Sequence, residues 1–277
     1  MTDPSLSRRV LLGALTGVLV APDAALARGA RFPWPGGDKA AVSLTYDDGL
    51  DSQIDRVIPA LDALGFRATF FLTGYNIQWR LKDWAKIAAA GHEIGDHTMN
   101  HPCALSGYSA ARFQREEIAP TQTLLASEDG EIRPRLYAYP CGYIGLGAGP
   151  PRERHARYLD LVRQTFAAAR TTVGPPNDPY RVPAEPYRLH AFEPTYEADN
   201  VRAAFRYLNQ AMASGAWAIL VFHDVLPAVK SEGDTSVATH QRILEWIKSQ
   251  PLWVSPMGEA LDYIETHQPG RGRSSVG

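Results

Sequence analysis

The amino-acid sequence predicts an α/β fold whose parallel sheet is closed, or nearly closed, into a barrel. Short apolar runs of strand character alternate with amphipathic helical patterns from residue 42 to residue 266, the pattern that builds parallel sheets. The number of repeats favours a barrel over an open sheet. Asp47, Asp48, His97, Pro140 and His223 all stand just past the ends of apolar runs. In a barrel those strand ends converge on one face, where active sites lie.

The elements follow in order. A first strand is expected over 42–46, and the amphipathic stretch 54–64 after it is stopped by Gly65. Glycine accepts the left-handed conformation that ends many helices. A second strand covers 68–72, and a second helix, 79–90, ends at Gly91. Residues 92–96 lead into a histidine pair. The stretch 112–126 reads as a helix with a kink expected at Pro120, which lacks the N–H a helix interior needs. Strands are expected at 136–139, 167–171 and 187–191, with a helix at 154–166 between the first two. A helix over 201–212 precedes the clearest buried strand, 217–222, six apolar residues in a row. Helices at 243–248 and 259–266 flank a short strand at 252–254. The Gly- and Pro-rich loops 142–151 and 174–183 are expected to rim a site rather than to link domains.

The first 27 residues stand apart from this pattern. Ser7-Arg8-Arg9-Val10-Leu11-Leu12 is a twin-arginine signature, the apolar run 11–20 follows it, and Ala25-Leu26-Ala27 offers a cleavage site. The run is too short to span a bilayer comfortably. Export to the periplasm or beyond is therefore expected, with cleavage after Ala27 and no stable membrane insertion afterwards. Residues 38–268 form the expected catalytic barrel, and the polar stretch 269–277 a disordered tail. The 277-residue chain carries a formal net charge of −2, and removal of the signal leaves it unchanged because Arg8 and Arg9 cancel Asp3 and Asp23. This balance gives no support for a nucleic-acid partner.

Tyr46-Asp47-Asp48-Gly49 and His97-Thr98-Met99-Asn100-His101 carry the chemistry. Alone, Asp-Asp-Gly is an ordinary turn and His-x3-His an ordinary surface feature. Together at strand ends they read as a metal site with a base. Successive strand side chains point to opposite faces, so one carboxylate can bind a cation while its neighbour reaches a water. Two histidines four apart on a helical turn can meet one divalent ion. One Asp with two His leaves coordination positions open, as hydrolysis requires. His223, ending the strongest strand, would face the same barrel mouth as a proton donor. Cys103 and Cys141 lie beside these motifs, either as a disulfide across the rim or as two unpaired thiols.

At these residues the chain resembles the polysaccharide deacetylase (NodB-homology) family of metal-dependent carbohydrate esterases, over roughly 39–267. Thr45-Tyr46-Asp47-Asp48-Gly49 is similar to the first family motif, and the His97–His101 stretch to the second. Tyr139-Pro140-Cys141-Gly142 looks like the third and Val221-Phe222-His223 like the fifth. The resemblance implies a distorted (β/α) barrel of about seven to eight parallel strands. It implies that Asp48, His97 and His101 hold a divalent metal, most often zinc in the family. Asp47 would be the general base and His223 the acid that protonates the departing amine. The backbone N–H near Cys141 would help hold the oxyanion, with Tyr139, Pro140 and Val221 beside the substrate and Val221 against the acetyl methyl.

Three features depart from the family pattern, the first being that Cys141 replaces a more usual aromatic residue. The arginine that commonly pairs with the base aspartate is replaced by Ala138, and Arg170, at the end of another expected strand, is the candidate to supply the missing guanidinium. The fourth motif, whose Asp tunes the catalytic histidine, has no clear match, and Asp178 is the candidate substitute. His155, His190 and His240 match no motif and read as surface or structural. The expected activity is removal of N-acetyl groups from an amino-sugar polymer: chitin-like, peptidoglycan or poly-N-acetylglucosamine. The alternatives are hydrolysis of a small non-sugar amide or imide, an O-acetyl glycan esterase, or a catalytically weak carbohydrate-binding relative.

Overall fold

The structure, a computed structural model, describes residues 31–127, 129–196 and 198–269. The expected export signal, and all of the expected tail but its first residue, lie outside the described residues. In chain order the strands are β1 (Ala40–Asp48), β2 (Thr69–Leu72), β3 (Glu93–Asp96), β4 (Leu136–Ala138), β5 (Ala168–Arg170), β6 (Trp217–Phe222), β7 (Val225–Leu226), β8 (Thr235–Ser236) and β9 (Leu252–Val254). The helices are α1 (Ile58–Leu64), α2 (Gly74–Ile77), α3 (Leu81–Ala89), α4 (Ala110–Phe113), α5 (Ala119–Leu125), α6 (Pro151–Arg163), α7 (Arg202–Ser214), α8 (Val237–Lys248) and α9 (Met257–Thr266).

Seven of these strands form one parallel sheet in the order β5-β4-β3-β2-β1-β6, with β9 paired to β1. β1 is long enough to share one edge between two partners. β9 takes Ala40–Val42 and β2 takes Thr45–Asp48, while β6 runs along the other edge from Ala41 to Tyr46. The sheet curls until the segment 189–192 bridges its outer strands. Leu189 exchanges backbone hydrogen bonds with Ala169 and Thr171, and Phe192 with Ile219 and Val221, at 2.9–3.0 Å. The strand expected at 187–191 is thus reduced to one isolated bridge at Leu189, with a second just past it at Phe192. Pro186 opens a 3-10 turn, Pro186–Arg188, that consumes its first residues.

Two-residue alternation sorts the side chains. Ala41, Phe71, Leu136, Ala138, Ala168, Ile219 and Val221 point inward and form one buried cluster, with Phe32, Trp34 and Leu261. Val42, Leu44, Tyr46, Phe70, Leu220 and Phe222 point outward against Leu61, Trp84, Leu208 and Ile243 of the helices. Each fully buried Val, Leu, Ile or Phe among these contributes roughly 1.5–3 kcal/mol. His240, which matched no motif, is buried here at 2.8 Å from the Tyr46 hydroxyl.

The two helices with a proline at their second residue, α1 and α5, are each entered through a widened turn. Ile58 N–H reaches Gln53 C=O and Ala119 N–H reaches Gln114 C=O, each five residues back, immediately before Pro59 and Pro120. A proline ring clashes with the carbonyl four residues earlier, and the wider π turn moves that carbonyl aside. This is the form the kink expected at Pro120 takes.

Asp47, Phe71 and Gly95 are successive register partners on the inner face. A Cβ at Gly95 would lie 2.4 Å from two carbons of the Phe71 ring and 3.3 Å from the Leu136 carbonyl oxygen. Gly95→Ala should therefore overpack the barrel interior and destabilise the fold by roughly 1–3 kcal/mol, read as a lower urea midpoint. An unchanged midpoint would show that Phe71 can yield its place.

Candidate active site and metal centre

Asp47 is the last inward residue of β1, and its side chain is 1% exposed. Its Oδ1 accepts a charged hydrogen bond from Arg170, whose side chain is also fully buried. Arg170 arrives there by register. It ends β5 on the inner face, directly opposite Ala138 on β4. The position that could have held an arginine holds a methyl group instead, and the guanidinium enters from the neighbouring strand, 4.5 Å above the Phe71 ring. Burial alone would raise the Asp47 pKa, but the charges of Arg170, His97 and His223 and the Arg170 hydrogen bond outweigh it and hold the carboxyl below its usual range. The other oxygen, Oδ2, is buried without a hydrogen-bond partner, 3.6 Å from His97 Nε2.

Asp48 diverges from Asp47 because its backbone turns left-handed, φ 75°, and not by strand alternation alone. The histidine pair also differs from its expected form. His97–His101 is not a helical turn: Thr98 and His101 have φ of 71° and 52°. Such angles are costly for a β-branched residue, and surrounding bonds hold them in place. Thr98 N–H donates to Asp96 Oδ1 at 2.7 Å, and His101 N–H to Thr98 Oγ1 at 3.0 Å. Buried Glu117 accepts from Asn100 N–H at 2.9 Å and from the Tyr108 hydroxyl at 3.0 Å. The loop brings the two imidazole centroids to 4.7 Å.

The donor set fits a divalent metal. His97 Nε2 and His101 Nε2 each lie 3.8 Å from Asp48 Oδ1, and one donor atom from each of the three residues falls within 4.8 Å of the others. His97 Nδ1 is 2.9 Å from the Ala138 carbonyl oxygen, so it carries the proton and Nε2 keeps its lone pair. Burial lowers the His97 pKa to about 4, against the opposing pull of Asp47 and Asp48. The ring is therefore neutral at physiological pH, as a ligand must be.

His223 follows β6, and its backbone carbonyl accepts from Gln53 Nε2 at 3.2 Å; the same amide also donates to the Asp47 carbonyl. One buried side chain thus ties the ends of β1 and β6 together. His223 Nδ1 lies 2.9 Å from Glu193 Oε1. Burial alone would lower the His223 pKa, but Glu193, Asp47 and Asp48 prevail and raise it to about 9. Glu193 was not anticipated, although an acid just past an expected strand, 187–191, obeys the same strand-end rule as the other groups. Asp178 is not near His223 in this role; it is half exposed and lies 3.8 Å from Arg181.

Cys103 and Cys141 are joined in a disulfide, with Cα atoms 5.7 Å apart, which links the histidine loop to the turn after β4. Cys141 lines a cleft of about 890 Å³ together with Asp47, His97, His101, Glu193 and His223. Tyr139, Pro140 and Val221 are not brought to that wall. Tyr139 is buried among Tyr137 and Tyr158, its hydroxyl donating to the Tyr187 carbonyl, and Val221 is locked in the barrel interior by strand alternation. Pro140 is buried beneath the Cys141 turn.

Comparison with known proteins agrees with this architecture. Residues 35–147 match the family model described as polysaccharide deacetylase. A peptidoglycan-N-acetylglucosamine deacetylase of Bacillus cereus is 41% identical over 108 residues, 39% of this chain and 38% of that one. The chain spans less than half the length of the curated relatives it matches. Two solved structures share the fold: the peptidoglycan deacetylase PdaC of Bacillus subtilis and an allantoinase. The first has a TM-score of 0.54 at 19% identity, over 82% of this chain and 92% of that one. The second has a TM-score of 0.58 at 17% identity, over 87% and 95%. Residues 35–147 of this chain are thus similar to the polysaccharide deacetylase family, and the solved structures share its fold.

Proposed function

We propose that this protein is an exported, metal-dependent hydrolase that removes N-acetyl groups from an amino-sugar polysaccharide. The observation that carries the reading is Asp47 Oδ2: a buried carboxylate oxygen without a partner, beside the Asp48–His97–His101 set and in the same cleft as His223. The twin-arginine segment supports export. Among the described residues, no helix is long and apolar enough to cross a membrane.

Asp48, His97 and His101 would hold the ion, and a carboxylate with two imidazoles suits zinc. When bound, the ion would polarise the acetyl carbonyl and ease ionisation of the attacking water. Asp47, held ionised by Arg170, takes the proton of that water through Oδ2. The backbone N–H at Cys141, a left-handed residue (φ 56°) on the cleft wall, would help hold the developing oxyanion. His223, kept protonated by Glu193, then delivers a proton to the departing nitrogen. Without that proton the amine is a poor leaving group.

Acetate release from a panel of N- and O-acetylated glycans, with and without chelator, tests the reading. Release confined to O-acetyl substrates would make the protein an esterase, and activity only on small cyclic amides would place its substrate outside the glycans. Chelation should abolish turnover, and a divalent ion should restore it. His97→Ala with His101→Ala should lose tight metal binding in a dialysed sample, and full occupancy in that double variant would overturn the ligand set.

Asp47→Asn should retain the metal while turnover falls roughly 10²–10⁴-fold. Loss of the metal with little loss of chemistry would exchange the roles of Asp47 and Asp48.

Glu193→Gln tests the acid. Because Glu193 helps raise the His223 pKa, its neutralisation lowers that pKa, and the protonated acid is lost at lower pH. The basic limb of the kcat profile should therefore move to lower pH while the acidic limb, set by Asp47, stays in place. A basic limb that does not move would separate His223 from the proton transfer.

A further inference from the structure

The catalytic cleft also runs along the first two turns of α7, and its charge changes there. Arg202 and Arg206 are exposed side chains four residues apart, hence on one face of the helix, and both line the same cleft as Asp47, His97 and His223. Among the described residues, neither guanidinium has an acidic partner or a hydrogen bond. The acids that share the wall are already engaged, Asp47 by Arg170 and Glu193 by His223. Like charges one turn apart repel each other, and an anion between them reverses that repulsion. The helix end itself is not the donor, because Arg202 N–H is satisfied by Asn200 Oδ1 at 3.0 Å.

Two features indicate what kind of anion fits. No lysine lines this cleft among the described residues, and a planar guanidinium fork matches a carboxylate in paired hydrogen bonds. Tyr196, 49% exposed in the same wall, offers an aromatic face to a sugar ring. The volume, about 890 Å³, lies high in the range of about 300–1,000 Å³ for ligand pockets and leaves room beyond one acetamido group.

We propose that Arg202 and Arg206 form a carboxylate-binding subsite within the catalytic cleft, so that the substrate is a glycan whose N-acetylated sugar neighbours a carboxylate-bearing one. This deepens the deacetylase reading and rests on it for the identity of the ligand as a glycan.

The test is calorimetric binding to the full chain loaded with a divalent ion. The ligands are an N-acetylated disaccharide carrying a carboxylate on its second sugar and the methyl ester of the same disaccharide. The wild type should bind the acid at least about tenfold more tightly than the ester. In Arg202→Gln with Arg206→Gln the two affinities should fall within about twofold of each other. Arg242→Gln, an exposed cation outside the cleft, should keep the preference and so exclude a general charge effect. Equal affinity for acid and ester, undetectable binding of the acid, or a preference that survives the double variant would overturn the subsite. Acetate release from the same ligands separates the two readings. A preference for the acid without acetate release removes the deacetylase reading and leaves the subsite. Equal release without preference does the reverse.

Discussion

The buried pair of Asp47 and Arg170 is the interaction on which the rest of the site depends. Two charges inside a barrel are tolerable only when each satisfies the other, and removing one partner of such a pair costs about 3–5 kcal/mol. The pair spans the interior from β5 to β1 and fixes which strand faces which across the barrel mouth. Its surroundings are shaped to admit it. Ala138 leaves space on β4, Phe71 supports the guanidinium from below, and Gly95 leaves space for Phe71. A stability role and the proposed chemical role would meet in one carboxylate: the same cation that permits its burial lowers its pKa.

Around this pair the backbone is strained where it meets the cleft. Of the five non-glycine residues with left-handed φ among the described residues, Asp48, Thr98, His101 and Cys141 are at the site, and only Glu131 is elsewhere. Strain of this kind costs of order 1–3 kcal/mol per residue and persists only where neighbours over-determine it. Asp96 and Glu117 hold the histidine loop, and the Cys103–Cys141 disulfide ties that loop to the turn after β4. Gln53 fastens the ends of β1 and β6 from beneath. The proposed base and the candidate ligand Asp48 therefore end β1 itself, and the candidate histidine ligands and acid sit on loops anchored to the sheet.

The electrostatic design separates two proton-carrying groups within one cleft. Arg170 depresses the pKa of Asp47, and Glu193 with its neighbouring carboxylates raises that of His223. Environments that push two titratable groups apart are the pattern of a base and an acid, which is the proposed assignment. At His97 beside them, burial outweighs the opposing pull of Asp47 and Asp48 and lowers the pKa.

By itself the sequence determined the seven strands of the parallel sheet, because a strand's apolar pattern is local, but it also predicted a strand at 187–191 that did not form and did not indicate the short pair β7 and β8. The run 217–222 and the run 252–254 were read with their observed ends. It also determined which residues stand past the strand ends, because motif and strand are contiguous in the chain. What only the tertiary structure decided is convergence. Arg170 meets Asp47 across 123 positions of sequence through strand register, and Glu193 reaches His223 because two isolated bridges place 189–192 between β5 and β6. The histidine pair converges through left-handed loop residues that no helical spacing describes. Tyr139 points to the outer face by strand alternation, whereas Val221 shares the inner face with Asp47 but lies deeper in the barrel, level with Thr45.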